Sequence, residues 1–167
     1  MPSTKKLYLL RHAKSDWSQP GQRDFDRELN ERGYRDAPLM GQVLHRKKVV
    51  PQVIYASPAR RTTLTAELVA PALPYPAEAV HYVKLLYECS LQTMLTFISR
   101  LDDQYDEVMI IGHNPTMTYT AEHLSGESLG NVPTCGVVSL AFEVDTWEAV
   151  AGRSATLEWF EYPKKYL

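Results

Sequence analysis

The chain has 167 residues, of which 44% are hydrophobic, so it is long enough for one domain with a sizeable core and is expected to be globular. Its 18 Lys and Arg residues nearly balance its 20 Asp and Glu residues, and the net charge of −2 argues against broad binding to nucleic acid or to a membrane surface. The N-terminus lacks the order of a signal peptide, and no apolar run approaches the roughly 18 residues that span a bilayer. We therefore expect a cytoplasmic protein with no nucleic-acid partner and no membrane association.

The first part of the chain predicts a strand, a long loop and a helix. An apolar run indicates a buried strand over residues 6–11. Residues 13–29 are polar and rich in turn formers, so they predict a loop of about 17 residues, which is long for a compact domain; loops of this length are usually functional. Residues 30–47 predict a helix with Asn30 as its N-cap. Pro38 lies well inside this helix and is expected to kink or break it.

A second strand is predicted over residues 52–57, followed by another helix. Ser57 is the expected N-cap of that helix, and Pro58 is its expected first residue, because this position needs no N–H group. The helix is expected to stop near Pro71. The segment AVHYVKLLYE then predicts a short strand that leads into a loop.

The next helix is predicted over residues 91–101, with Ser90 as its N-cap. Residues 107–112 are the most uniformly apolar strand of the chain. Asn114 and Pro115 then repeat the pattern of an N-cap and a first helical turn, which predicts a helix that ends at about Leu124.

The C-terminal part predicts two strands, over residues 136–144 and 155–162. Apolar strands that alternate with helices indicate a parallel or mixed sheet with helices on both faces. The predicted fold is therefore α/β, a three-layer α/β/α sandwich with a mostly parallel, mixed central sheet. We expect it to form a single domain over residues 1–167.

Histidine and arginine side chains follow three of the predicted strands. His12, Arg61 and His113 each come shortly after a strand end, and sites in open α/β sheets lie outside the carboxyl ends of the strands. Helices that start near Ser57 and Asn114 would point their positive N-termini toward the same edge. Guanidinium groups have a planar fork of donors that suits phosphate oxygens. The pattern therefore predicts a pocket for a phosphoryl group.

A histidine that attacks phosphorus must be neutral at one ring nitrogen. The adjacent arginine disfavours the imidazolium form of His12 and keeps the ring available at neutral pH. The arginines would then stabilise the charge of the transition state, and a phosphohistidine intermediate would divide the reaction into transfer and hydrolysis. Because arginines can supply this charge, and because neither cysteine lies in a metal-binding cluster, we expect no metal and no cofactor.

Five segments resemble the histidine phosphatase superfamily, and most closely its small phosphohistidine phosphatases of the SixA type. They span about residues 6 to 125, in the family's order: LYLLRHAKSDW, DFDRELNERGYRDAP, SPARRTTLTAE, LLYECS and IIGHNPTM. Ala13 stands where many members have glycine. The resemblance implies a phosphoglycerate mutase-like fold without the large cap insertions of mutase relatives.

The resemblance also implies roles for individual residues. Arg11 and His12 match the signature pair, with His12 as the nucleophile, and His113 matches the second catalytic histidine. Arg60 and Arg61 are both candidates for the next phosphate-binding arginine, and on a helix they would point about 100° apart, so only one is expected to face the pocket. Alignment of the following Thr-Ala pair with the family's usual one favours Arg61.

Further candidates are less specific. Glu88 lies near the family's usual proton donor and could act as an acid or activate water, or it could be a capping or surface carboxylate. Ser15 could contact phosphate. Trp17 could form a wall of the substrate site or only cover the edge of the core. Asn114 could bind substrate or serve only as an N-cap.

The resulting hypothesis is a metal-independent phosphatase that acts through a phosphohistidine intermediate on His12. Its expected substrate is a phosphohistidine on a protein, such as a histidine phosphotransfer domain, since a chain without a cap should leave the pocket open. One alternative is a phosphatase for a small phosphate ester, and another is a phosphate-binding module without catalysis. We expect the protein to act as a monomer.

Overall fold

A six-stranded mixed sheet forms the centre of the fold in the computed structural model, which describes residues 3–167. Its spatial order is β3-β2-β4-β1-β5-β6; the strands from β3 to β1 are parallel, and β5 and β6 join in antiparallel fashion. The predicted α/β class with a mostly parallel, mixed sheet is confirmed. In chain order the strands and α-helices are β1 (Lys5–Arg11), α1 (Glu31–Arg46), β2 (Val53–Ala56), α2 (Arg60–Val69), β3 (His81–Tyr82), α3 (Leu91–Ser99), β4 (Glu107–Gly112), α4 (Thr116–Ser125), β5 (Val137–Phe142) and β6 (Ala155–Glu161).

Two hydrophobic cores lie on opposite faces of the sheet. Along β1, Tyr8 and Leu10 pack in the core that contains the apolar side chains of α1 and α2. Leu7 and Leu9 pack in the other core, with side chains of α3 and α4. This alternation follows from the period of two in a strand, and it buries both faces of the parallel strands. The predicted three-layer arrangement is thereby confirmed.

The strand register brings three chain segments together at one edge of the sheet. Arg11 at the end of β1 pairs with Gly112 at the end of β4, and Ala56 at the end of β2 pairs with Ile111. The residues that follow these strands therefore emerge side by side from neighbouring strands. This register positions the candidate site.

Helix α1 starts as predicted but is not broken at Pro38. The side chain of Asn30 accepts a hydrogen bond from the backbone N–H of Gly33, so Asn30 is the N-cap. The helix continues through Pro38 for 16 residues in total. Ala37 and Met40 are fully buried against the sheet, and we attribute the continuity of the helix to this burial, which offsets the hydrogen bond that proline removes.

The predicted start of α2 is wrong. The helix begins at Arg60, with Ala59 as its N-cap residue, and not at Pro58 after a cap by Ser57. The hydroxyl of Ser57 accepts a hydrogen bond from the N–H of Ala59 at 3.3 Å, and it also lies 2.8 Å from Nε2 of His113, which is the shorter contact.

The other helix starts agree more closely with the predictions. Ser90 caps α3, since its side chain accepts a hydrogen bond from the N–H of Thr93. Helix α4 begins at Thr116, but the side-chain oxygen of Asn114 still accepts a hydrogen bond from the N–H of Thr118 at 3.2 Å. Within residues 3–167, each helix is too short or too polar to cross a membrane.

Candidate active site

A cavity of about 620 Å³ opens at the edge of the sheet where β1, β2 and β4 end. Side chains from three strand ends, from the loop after β1 and from the start of α4 line it. All of the residues predicted for the site lie in its wall: Arg11, His12, Ser15, Arg61, Glu88, His113 and Asn114.

The ring of His12 is held in a single tautomer. It is 7% exposed, and its Nδ1 lies 2.7 Å from the carbonyl oxygen of Ala13. Because a carbonyl only accepts hydrogen bonds, Nδ1 carries the proton and Nε2 keeps its lone pair. Burial lowers the pKa of His12 to about 3 against a smaller opposing effect of the Ala13 hydrogen bond, and the charges of Arg61 and Arg11 lower it further. His12 is therefore neutral at physiological pH.

The ring of His113 has the opposite tautomer. Arg61 Nη2 lies 3.3 Å from its Nδ1, and a guanidinium only donates hydrogen bonds, so Nδ1 accepts and Nε2 carries the proton. That proton is donated to the hydroxyl oxygen of Ser57 at 2.8 Å. Burial and the charge of Arg61 lower the pKa of His113 to about 4. The centroids of the two histidine rings are 5.3 Å apart, so one small group can contact both rings.

Two arginine side chains keep unused donors in the site. Nε of Arg11 and Nε of Arg61 are buried and have no hydrogen-bond partner among the described residues. A buried donor without a partner is costly, and both of these arginine side chains line the cavity. Arg61 is 5% exposed, whereas its neighbour Arg60 is exposed, so only Arg61 faces the cavity.

A carboxylate that sequence reasoning did not single out organises this side of the cavity. Asp24 accepts hydrogen bonds from Arg61 at 3.0 Å, from Arg27 at 2.8 Å and from the hydroxyl of Tyr87 at 2.7 Å. Burial raises the pKa of Asp24, but these three hydrogen bonds more than offset this effect and hold the pKa below its ordinary value. Asp24 therefore stays ionised and fixes both guanidinium groups. The only sequence signal was its position in the segment DFDRELNERG, 37 residues from Arg61 and 63 from Tyr87.

The remaining candidates have different surroundings. The Ser15 hydroxyl accepts a hydrogen bond from Arg27 at 2.5 Å, which leaves its own proton available to a ligand. The amide of Asn114 donates to Asn131 at 2.8 Å and accepts from Thr118, so its bonds serve the fold around α4. Glu88 lies exposed at the rim of the cavity.

No group of three or more His, Cys, Asp or Glu side chains is placed to hold a metal ion within residues 3–167. The positive charge in the cavity wall comes from Arg11, Arg27, Arg61 and Lys14. These side chains can hold a phosphoryl group next to the neutral ring of His12.

Comparisons with known proteins agree with this arrangement. The sequence model of the histidine phosphatase superfamily (branch 1) matches residues 7–94. An uncharacterised chloroplast protein of Arabidopsis thaliana is 32% identical over 95% of this chain and 77% of its own length. The crystal structure of SixA from Agrobacterium tumefaciens, a proposed phosphohistidine phosphatase, is 31% identical, covers 98% of this chain and 99% of its own, and has a TM-score of 0.80. Phosphoserine phosphatase 1 of Hydrogenobacter thermophilus is 45% identical, but over only 40% of this chain and 32% of its own length.

The chain belongs to the histidine phosphatase superfamily, and within it to the SixA-type branch. It is a phosphatase with a phosphoglycerate mutase-like α/β fold.

Proposed function

We propose that this phosphatase removes phosphate from phosphohistidine on a protein, without a metal, through a phosphohistidine intermediate on His12. The observation that carries the proposal is the state of the His12 ring. Its proton is tied to the Ala13 carbonyl, its pKa is about 3, and its Nε2 lone pair is left for phosphorus. A buried neutral imidazole beside unpartnered arginine donors is arranged for attack on a phosphoryl group.

In the first step, Nε2 of His12 forms a bond to phosphorus while the bond from phosphorus to the substrate imidazole breaks. The electron pair of the broken bond stays on the leaving nitrogen. A substrate ring that is protonated on its other nitrogen then leaves as neutral imidazole and needs no further proton. In the second step, water attacks the phosphorus on His12, loses a proton and restores the free ring with release of phosphate.

The charge that spreads over the phosphoryl oxygens is met by donors already in place. Nε of Arg11 and Nε of Arg61 are unpartnered, and both side chains line the cavity next to the ring of His113. Asp24 holds Arg61 in a fixed orientation, so little reorganisation is needed during the reaction. Preorganised donors of this kind usually provide the largest part of catalysis in phosphoryl transfer.

Glu88 is the candidate for activation of water in the second step. Its position at the rim places a carboxylate on the solvent side of the cavity, where water enters. The first step makes little demand on an acid, because imidazole is a good leaving group. We therefore expect loss of Glu88 to slow hydrolysis of the intermediate more than its formation.

A protein substrate is favoured by the shape of the site. Trp17 and Tyr119 line the cavity and are 72% and 53% exposed, so the mouth is accessible to a side chain presented by another protein. The proposed partner is therefore a phosphorylated protein such as a histidine phosphotransfer domain. The A. tumefaciens relative is described as a proposed phosphohistidine phosphatase, and this supports the same substrate class for the present chain.

A small phosphate ester is the second candidate substrate. The similarity to phosphoserine phosphatase 1 covers 40% of this chain, and it supports hydrolysis of a phosphate ester as the alternative activity. In that case the rim would contact a small leaving group and not a protein surface.

The test is a comparison of kcat/KM for a phosphohistidine protein and for a panel of small phosphomonoesters, with a chelator present. We expect the phosphoprotein to be the better substrate and His12→Ala to abolish its hydrolysis. Arg61→Ala should reduce turnover strongly, whereas Arg60→Ala at the exposed neighbouring position is the matched control and should not. High turnover of one ester with none of the phosphoprotein would establish the second candidate instead.

A further inference from the structure

Trp17 is an exposed aromatic residue that is nevertheless held in place. Its indole is 72% exposed and lies in the wall of the active-site cavity. The guanidinium carbon of Arg27 lies 3.5 Å from the centroid of the ring. One side of the indole is therefore stacked on a cation, and the high exposure leaves the other side to solvent.

The guanidinium beneath Trp17 is itself fixed. Arg27 is 6% exposed and donates to Asp24 from Nε at 3.1 Å and from Nη2 at 2.8 Å. Its Nη1 donates to the Ser15 hydroxyl at 2.5 Å. Three hydrogen bonds thus hold the group on which the indole stacks.

The backbone that precedes Trp17 is also tied down. The N–H of Asp16 donates to the carbonyl of Glu28 at 2.8 Å, and the N–H of Asn30 donates to the carbonyl of Lys14 at 3.0 Å. Much of the ordering cost of this part of the loop is therefore met during folding, and a ligand that contacts the indole has less of it to supply.

The direction of the reaction places the leaving group near this surface. In phosphoryl transfer the attacking and leaving atoms lie roughly in line on opposite sides of phosphorus. His12 is buried in the cavity wall, so the leaving group must extend away from it, toward the mouth where Trp17 is exposed. A flat indole side suits a planar ring, and it offers much less to an aliphatic alcohol or an amine.

We infer that Trp17 is a specificity-determining residue, which stacks its exposed indole side on the imidazole ring of the leaving group. This inference rests on the proposed phosphohistidine phosphatase function. It adds that the same site distinguishes substrates by the planarity of their leaving group.

The test compares two small substrates that both contain a phosphorus–nitrogen bond. Phosphoimidazole has a planar leaving group, and phosphoramidate has none. We expect Trp17→Ala to raise KM for phosphoimidazole by about fivefold or more, the size of one lost aromatic contact, and to leave KM for phosphoramidate nearly unchanged. Trp17→Phe should retain most of the preference, and Trp17→Leu, which is apolar but not planar, should lose it.

Tyr34 provides a matched control, because it is an exposed aromatic residue on α1 that does not line the cavity. Tyr34→Ala should change neither KM. Turnover of phosphoramidate by each Trp17 variant shows that its fold and its reacting groups are intact. Equal KM changes for the two substrates in Trp17→Ala, or no change for either, would overturn the role of Trp17.

If the proposed function itself is wrong, the experiment would give a different result. In that case the wild-type protein would hydrolyse phosphomonoesters but neither phosphorus–nitrogen substrate, and the inference would fall with the function.

Discussion

At the scale of single residues, the reactivity of His12 depends on its low pKa. Burial accounts for the largest part of that shift, and the neighbouring positive charges add to it. An unfolded histidine titrates near 6.5, whereas His12 and His113 in the folded protein have pKa values of about 3 and about 4. Between these values the unfolded chain binds more protons than the folded one.

This difference sets the sign of the pH dependence of stability. Because the unfolded state binds more protons, the free energy of unfolding is highest above pH 6.5 and falls as the pH drops toward 4. Each histidine contributes a slope of up to about 1.4 kcal/mol per pH unit. We expect His12→Asn to flatten the curve of unfolding free energy against pH, measured by chemical denaturation from pH 8 to 4.5. An unchanged slope in this variant would contradict the low pKa of His12.

Ser57 is expected to act as a positioning residue through His113. It is fully buried, and its hydroxyl accepts the Nε2 proton of the ring at 2.8 Å. In Ser57→Ala the ring loses one of its two fixed contacts, and we expect kcat to fall roughly tenfold, about the worth of one hydrogen bond to a reacting group. KM should change little, because the arginines still bind the phosphoryl group.

The control is Ser99→Ala, which removes a hydroxyl that bonds only within α3, to the carbonyl of Thr96. Steady-state kinetics give kcat and KM for Ser57→Ala and for Ser99→Ala, and these values are compared with those of the wild type. A rise in KM without a fall in kcat for Ser57→Ala would assign Ser57 to substrate binding and not to the orientation of His113.

At the scale of elements, local sequence signals predict a helix cap correctly where the capping side chain makes its main hydrogen bond within its own helix. Asn30 and Ser90 cap their helices as predicted, because each side chain bonds an N–H only three residues away. Ser57 has the same local signal, but its hydroxyl bonds a histidine 56 residues away, and no local rule contains that contact. Asp24 was missed for the same reason, since its partners are distant in sequence.

At Pro38, inside helix α1, tertiary packing also outweighs a local signal. Burial of its neighbours keeps α1 continuous, at the cost of one backbone hydrogen bond. We expect Pro38→Ala to raise the free energy of unfolding by about 1–2 kcal/mol, since restoring the hydrogen bond outweighs the added freedom of the unfolded chain. Denaturant titration measures this change, and kcat/KM should be unaffected because Pro38 does not line the cavity. Lower stability in this variant would show that the proline ring itself is needed for packing.

At the scale of the whole molecule, the sheet brings together groups that are scattered along the chain. His12 and His113 are 101 residues apart in the sequence. They nevertheless follow adjacent parallel strands whose last residues, Arg11 and Gly112, are paired. The sequence could predict this meeting because apolar strands with helices between them have few possible topologies. It could not predict the tautomers of the two rings, which depend on the Ala13 carbonyl and on Arg61 in the folded protein.

The central claim is that the phosphoryl group passes through His12, and the most direct measurement is to trap that intermediate. We would mix the protein with radiolabelled phosphoramidate, stop turnover in base after a few milliseconds and locate the label. We expect a label that is stable in base and labile in acid, attached to His12 in the wild type and absent from His12→Asn. Turnover by the wild type without such a label, or the same label on His12→Asn, would contradict the assignment.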